Sequence, residues 1–137
     1  MSNQPKIAVL MMGNMRSYNI TAKNLEAHLL APYNCDLYIT TYDKRFNAKF
    51  GNAQEEIMTD LQIAGVYGKY VKQITIINQE SFTEKYATVK DKPYKFGSEI
   101  NRLYTIQKLV MTAYDIFRGE CARNNRHYDY IVKIRPD

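Results

Sequence analysis

Five charged side chains stand where an apolar run gives way to a turn, or near the start of a long helical pattern: Arg16, Asp43, Lys108, Arg135 and Asp137. A guanidinium is a planar fork of donors that matches phosphate or carboxylate, and an ammonium is a mobile point charge. A carboxylate in such a place accepts hydrogen bonds from the hydroxyls of a ribose or the edge of a base. Smaller residues flank these groups. Gly13 permits close backbone approach, and Asn14 lies between it and Arg16. Thr41 and Tyr42 lead into Asp43, while Asn101 and Tyr104 share a helical flank with Lys108. Together the types suit an anionic ligand that also carries hydroxyl groups.

What must position them can be read from the apolar pattern. "KIAVLMM" (6–12) is continuous, as in a strand covered on both faces of a parallel sheet. A helix capped by Asn19 or Thr21 is predicted to run to about Leu30, with Leu25, Leu29 and Leu30 inward and Pro32 and Asn34 closing it. "CDLYITTYD" (35–43) is a second strand. The polar residues 44–52 read as a loop, 53–63 as a short helix and 72–79 as a third strand. Residues 81–97 show no clear period and read as a mobile loop that can include one helical turn. From Ser98 a long helix runs to about Arg123, with Leu103, Ile106, Val110, Ala113, Tyr114, Phe117 and Cys121 as its core stripe. "YIVKI" (130–134) closes the pattern as a buried, central strand.

Strands alternating with helices in this way imply an α/β fold, an open and mostly parallel sheet with flanking helices. Ligands of such sheets bind beyond the carboxyl ends of the strands, at a topological switch point. The residues singled out above are therefore expected to converge on one edge.

Composition narrows the classes. The chain has 137 residues, 45% hydrophobic and 24% charged, which suits one soluble domain over residues 1–137. No apolar run approaches the roughly 20 residues of a membrane span, and the start lacks a basic leader, so cytoplasmic residence is expected. Peripheral association with a membrane surface and the oligomeric state stay open. Cys35 and Cys121 are isolated, and free buried thiols are expected. A net charge of +5 with twelve tyrosines resembles a nucleic-acid surface in composition. The tyrosines are dispersed rather than gathered with the basic residues, so nucleic-acid binding is not expected. No G-x-G-x-x-G, P-loop, G-x-S-x-G or zinc-ligand spacing occurs.

In order, "KIAVLMMGNMRSY", "NCDLYITTYD", "NRLYTIQK" and "YDYIVKIRPD" resemble segments of GT-A-type glycosyltransferases of bacterial polysaccharide loci and large DNA viruses. The likeness covers most of the chain except residues 44–97. It implies a Rossmann-like donor-binding half that holds a nucleotide diphosphate sugar, followed in the family by an acceptor half. It further implies transfer of the sugar to a hydroxyl of a glycan acceptor. Arg16 would lie near the donor, Asp43 near the base or ribose, and Tyr104 and Lys108 on the helix side of the pocket. The family's Asp-x-Asp metal motif reads Arg135-Pro136-Asp137 here, with one carboxylate in place of two. The resemblance thus makes Asp137 the catalytic and metal-binding position, for Mn²⁺ or Mg²⁺, with Arg135 replacing part of the metal's charge. The alternative is a Rossmann-like nucleotide-binding or interaction module without catalysis.

Overall fold

The computed structural model of the chain describes residues 4–47, 54–86 and 97–136. Four strands form one parallel sheet: β1 (Ile7–Gly13), β2 (Asp36–Tyr42), β5 (Val71–Ile77) and β6 (Tyr130–Ile134), in the spatial order β5-β2-β1-β6. β1 and β2 lie at the centre and read as near-continuous apolar runs because both of their faces are covered. On one face Val9, Met11, Leu37 and Ile39 join the larger core, and on the other Ala8, Leu10, Met12 and Tyr38 join a second one.

The chain moves outward from β1 to β2 to β5, then returns to the far side of β1 at β6. Right-handed crossovers require the covering helices to change face when the direction of travel reverses. They do so here. Helices α1 (Tyr18–Leu25) and α3 (Asp60–Tyr67) supply Tyr18, Ala22, Ile63 and Tyr67 to the larger core, whereas α5 (Gly97–Arg123) supplies Ala113 and Phe117 to the second.

α1 starts at Tyr18, and the residue before it, Ser17, makes no side-chain cap. Neither Asn19 nor Thr21 is therefore the cap. The helix continues through a π turn (Glu26–Leu30) into α2 (Ala31–Tyr33) and ends on Asn34 in the left-handed conformation, φ 48°. The wider turn stands where Pro32 removes one amide and crowds the carbonyl four residues back.

Three further expectations are corrected. Residues 44–47 are strand rather than loop, because β3 (Lys44–Asn47) pairs antiparallel with β4 (Gln54–Ile57). Residues 48–53, the rest of the expected loop, lie outside the described residues. The helix expected over 53–63 starts later, at α3. Thr59 accepts from the Gln62 amide while the Gln62 side chain accepts from the Thr59 amide, a capping box that sets the start. The expected loop over 81–97 contains helix α4 (Gln79–Lys85), capped by Asn78 through the Ser81 amide at 2.9 Å. Residues 87–96 lie outside the described residues.

Of the expected α5 stripe, Ala113 and Phe117 are buried and Val110 and Cys121 pack partly against the second core, with Thr105 and Leu109 buried beside them, whereas Leu103, Ile106 and Tyr114 are 61%, 48% and 42% exposed. The strand β6 is also not central. It is the sheet edge, paired only with β1 among the described residues, and Tyr130 and Ile131 are exposed. Between α5 and β6, an apolar groove of about 440 Å³ is lined by Leu10, Met12, Val110, Met111, Tyr114 and Ile131, among others.

Gly13 ends β1 at φ 128°, a conformation that side chains avoid. A Cβ there would meet Pro136 Cδ at 3.5 Å, an ordinary contact, so space is not the constraint. Gly13→Ala is expected to cost about 1–3 kcal/mol through backbone strain alone. Urea denaturation measures it, and an unchanged midpoint would show that the turn relaxes freely.

Candidate functional site at the carboxyl edge

The return of the chain to β6 makes the β1/β6 boundary the switch point of the sheet. β1 and β6 run parallel with Met11 opposite Ile134, so the segments after each strand emerge side by side. Gly13, Asn14, Met15 and Arg16 follow β1, and Arg135 and Pro136 follow β6. The Arg16 and Arg135 side chains are both exposed, whereas Met15 and Pro136 are fully buried. Thr21 Oγ1 donates to the Pro136 carbonyl at 2.6 Å, which ties the end of β6 to the first turn of α1. The close approach that Gly13 permits is thus made, at least in part, by Pro136. Asp137 lies outside the described residues.

Next to this boundary, Thr41 Oγ1 donates to the Gly13 carbonyl at 2.7 Å and is wholly buried. Asn14 Nδ2 donates to the Lys44 carbonyl at 3.3 Å, anchoring the turn after β1 to the start of β3. Among the described residues, Asn14 Oδ1 and Gln79 Oε1 are buried with no hydrogen-bond partner. A buried acceptor without a donor is costly, and two at one edge of a sheet are a notable pair.

Asp43 has a clear local task. Its Oδ1 accepts from the Gln79 amide at 2.9 Å and its Oδ2 from Asn78 Nδ2 at 3.0 Å. Its amide donates to the Ile77 carbonyl and its carbonyl accepts from the Met58 amide at 2.7 Å. Asp43 therefore joins β2, β5, α4 and the base of the β3–β4 hairpin.

Tyr42, Tyr104 and Lys108 belong to an aromatic group on the α5 side. Tyr42 is buried against Phe82 and Leu109, and burial pushes its hydroxyl pKa up. Phe82 packs edge-on to Tyr86 at 4.8 Å, and Tyr86 lies 6.3 Å from Tyr104. The Lys108 ammonium sits over both rings, 5.2 Å from Tyr104 and 5.8 Å from Tyr86, in cation–π contact. Asn101 lies in the N-terminal part of α5, near the same edge.

The edge thus places the described residues in two regions. Gly13 and Arg16 follow β1 and Arg135 follows the neighbouring β6, while Tyr42, Asp43, Tyr104 and Lys108 lie around β2, α4 and α5. Asn14 and Thr41 stand between them. Thr21, Asn78, Gln79, Tyr86 and Pro136 were not anticipated. Asn78 was recoverable from sequence, since an asparagine three residues before a serine amide and ahead of "QESF" is a helix-start pattern.

Among the described residues, no group of three His, Cys, Asp or Glu is arranged to hold an ion. Asp43 has both carboxylate oxygens engaged by Asn78 and Gln79. Hard cations such as Mg²⁺ need several free oxygen ligands, which the described side chains do not assemble.

The fold and this edge define an α/β protein of Rossmann-like form with its switch point at β1/β6. Comparison with family models, with curated proteins and with solved structures found no match. No helix among the described residues is long and apolar enough to cross a membrane.

Proposed function

We propose that the chain binds a nucleotide diphosphate sugar at the carboxyl edge and serves as the donor-binding part of a glycosyltransferase. The observation that carries this reading is the switch point itself, with Gly13, Arg16 and Arg135 at the carboxyl ends of β1 and β6. Two exposed guanidiniums at the ends of neighbouring strands suit a diphosphate, whose oxygens accept forked, charge-assisted hydrogen bonds. The buried acceptors Asn14 Oδ1 and Gln79 Oε1 suit the hydroxyl and amine hydrogens of a ribose and base.

In the reaction, a glycan hydroxyl attacks the anomeric carbon of the donor, the bond from that carbon to the diphosphate oxygen breaks, the hydroxyl proton passes to a base of the acceptor half or to the departing diphosphate, and the nucleoside diphosphate departs. Negative charge grows on the leaving diphosphate, and Arg16 and Arg135 stabilise it by proximity and hydrogen bonding. Asp137 is proposed as the further residue of this centre, with Mn²⁺ or Mg²⁺ as its metal partner in the family resemblance. Cytoplasmic residence belongs to the same reading.

Calorimetric titration with UDP-, GDP- and TDP-sugars, with and without Mn²⁺, provides the test. Saturable binding of at least one donor is expected, weakened about tenfold or more by Arg16→Ala and by Arg135→Ala in variants that remain folded. A folded sample that binds none of the donors overturns the proposal. So does binding that both variants leave intact.

A further inference from the structure

A second polar cleft lies at the opposite end of the sheet, where the strands begin. It measures about 390 Å³, and Lys6, Lys72, Arg126, His127, Asp36 and Tyr128 are among its lining residues. Three basic residues and one carboxylate line it, and that carboxylate is already engaged. Asp36 Oδ2 accepts from the Tyr128 hydroxyl at 2.7 Å, and its Oδ1 lies 3.8 Å from the Lys72 ammonium.

The cations are positioned by the fold. Tyr128 and Tyr38 share a hydrogen bond of 2.6 Å, and Arg126 Nη1 donates to the Tyr38 hydroxyl at 3.1 Å. A chain of contacts thus runs from Asp36 to the Arg126 guanidinium. A guanidinium carries five N–H donors, so this contact orients Arg126 without exhausting it. Lys72 owes its place to a register shift. β2 pairs Leu37 with Val71 and then Tyr38 with Gln73, which leaves Lys72 as the extra residue of a bulge. Bulges re-aim side chains and recur beside functional sites. Lys6 is fixed at its amide, which donates to Asp129 Oδ2 at 2.7 Å.

Backbone irregularity concentrates at the same place. Both non-glycine residues with positive φ among those described, Asn34 at 48° and Asn125 at 50°, line this cleft. Each follows the C-terminal end of a helix. Those ends contribute roughly half a negative charge apiece, and with Asp36 and the Asp129 carboxylate at the Lys6 amide they offset much of the cationic charge, so binding there rests on directed contacts from Arg126 and Lys72 rather than on net charge.

We propose that this amino-edge cleft binds a small phosphate-bearing anion, with Arg126 as the forked donor and Lys6 and Lys72 as point charges. The site is independent of the donor edge, since it lies at the other ends of the strands.

Titration of the full chain with inorganic phosphate, followed by amide NMR at constant ionic strength, tests it. Saturable shifts are expected at Ile7, Lys72, Arg126 and His127, with affinity falling about tenfold in Arg126→Gln. Lys72→Gln, an exposed change on an edge strand, guards against a folding artefact and is expected to weaken binding about fivefold. Tighter binding of phenyl phosphate than of inorganic phosphate would identify a phosphate monoester as the ligand, and equal binding would identify the free anion. Absence of saturation overturns the proposal, as do shifts spread over the basic surface or an affinity that Lys72→Gln leaves unchanged.

Discussion

Leu37→Ala is expected to remove about 2–5 kcal/mol of stability, out of roughly 5–15 kcal/mol available to a domain of this size. Leu37 is fully buried on β2, opposite Val9 on one side and Val71 on the other, and belongs to the larger core. Its neighbours on both sides are strand backbone held by parallel ladders, so the lining has little freedom to close over the lost methyl groups. The transfer and cavity terms therefore add. Urea denaturation with an unchanged slope measures the effect. A loss below about 1 kcal/mol would mean that the helical layer of α1 and α3 collapses onto the space, and that this core is softer than its burial implies.

Asp43→Ala is expected to cost about 1.5–3 kcal/mol and to loosen α4. The carboxylate holds the Gln79 amide at the first residue of that helix and the Asn78 side chain that caps it. Removing it leaves both donors without their partner at once. Hydrogen exchange provides the local readout: amides of Gln79–Lys85 should lose protection before those of β1 and β2. Asp43→Asn keeps an acceptor for the Gln79 amide but sets an amide group against Asn78, so its cost should fall between wild type and alanine. If Asp43→Ala leaves stability and exchange unchanged while weakening donor binding, the residue acts on the ligand and not on the fold. The two outcomes separate a structural aspartate from a ribose-binding one.

The α5 stripe shows how far periodicity reaches. Leu103, Ile106, Val110 and Tyr114 form one apolar row, and Thr105, Leu109, Ala113 and Phe117 form another at strict i+4 spacing. The expected stripe drew on both rows, yet the second is buried throughout, and of the first only Val110 packs partly against the core. Ala113 and Thr105 are small, so that row lets the helix lie close to β1 and β2, and closeness is a property of the pair of surfaces. The hairpin formed by β3 and β4 was illegible for a related reason. Its residues are polar, and their strand conformation is satisfied by pairing with each other rather than by an apolar face. The capping box at Thr59 and Gln62, by contrast, is a four-residue pattern that stands in the sequence for anyone to read.

The same division runs through the candidate site. Alternating strands and helices were enough to place Gly13, Arg16, Thr41, Asp43 and Arg135 at one edge, because parallel strands all end on the same side. What each group does there was not legible. Asp43 and Lys108 look alike in sequence as charged residues at a predicted edge. Contacts from distant segments give the first to α4 and set the second over two tyrosine rings.

Taken alone, the sequence determined the four parallel strands, the α/β class and the edge on which the charged residues gather, since these follow from short-range propensity and apolar period. Only the tertiary structure decided that β6 is an edge strand, that α5 turns its smaller row inward, that Asp43 is held by the neighbouring helix, and that Lys6, Lys72 and Arg126 meet at the far end. Each of these depends on which segments become neighbours across tens of residues, and no local pattern encodes that choice.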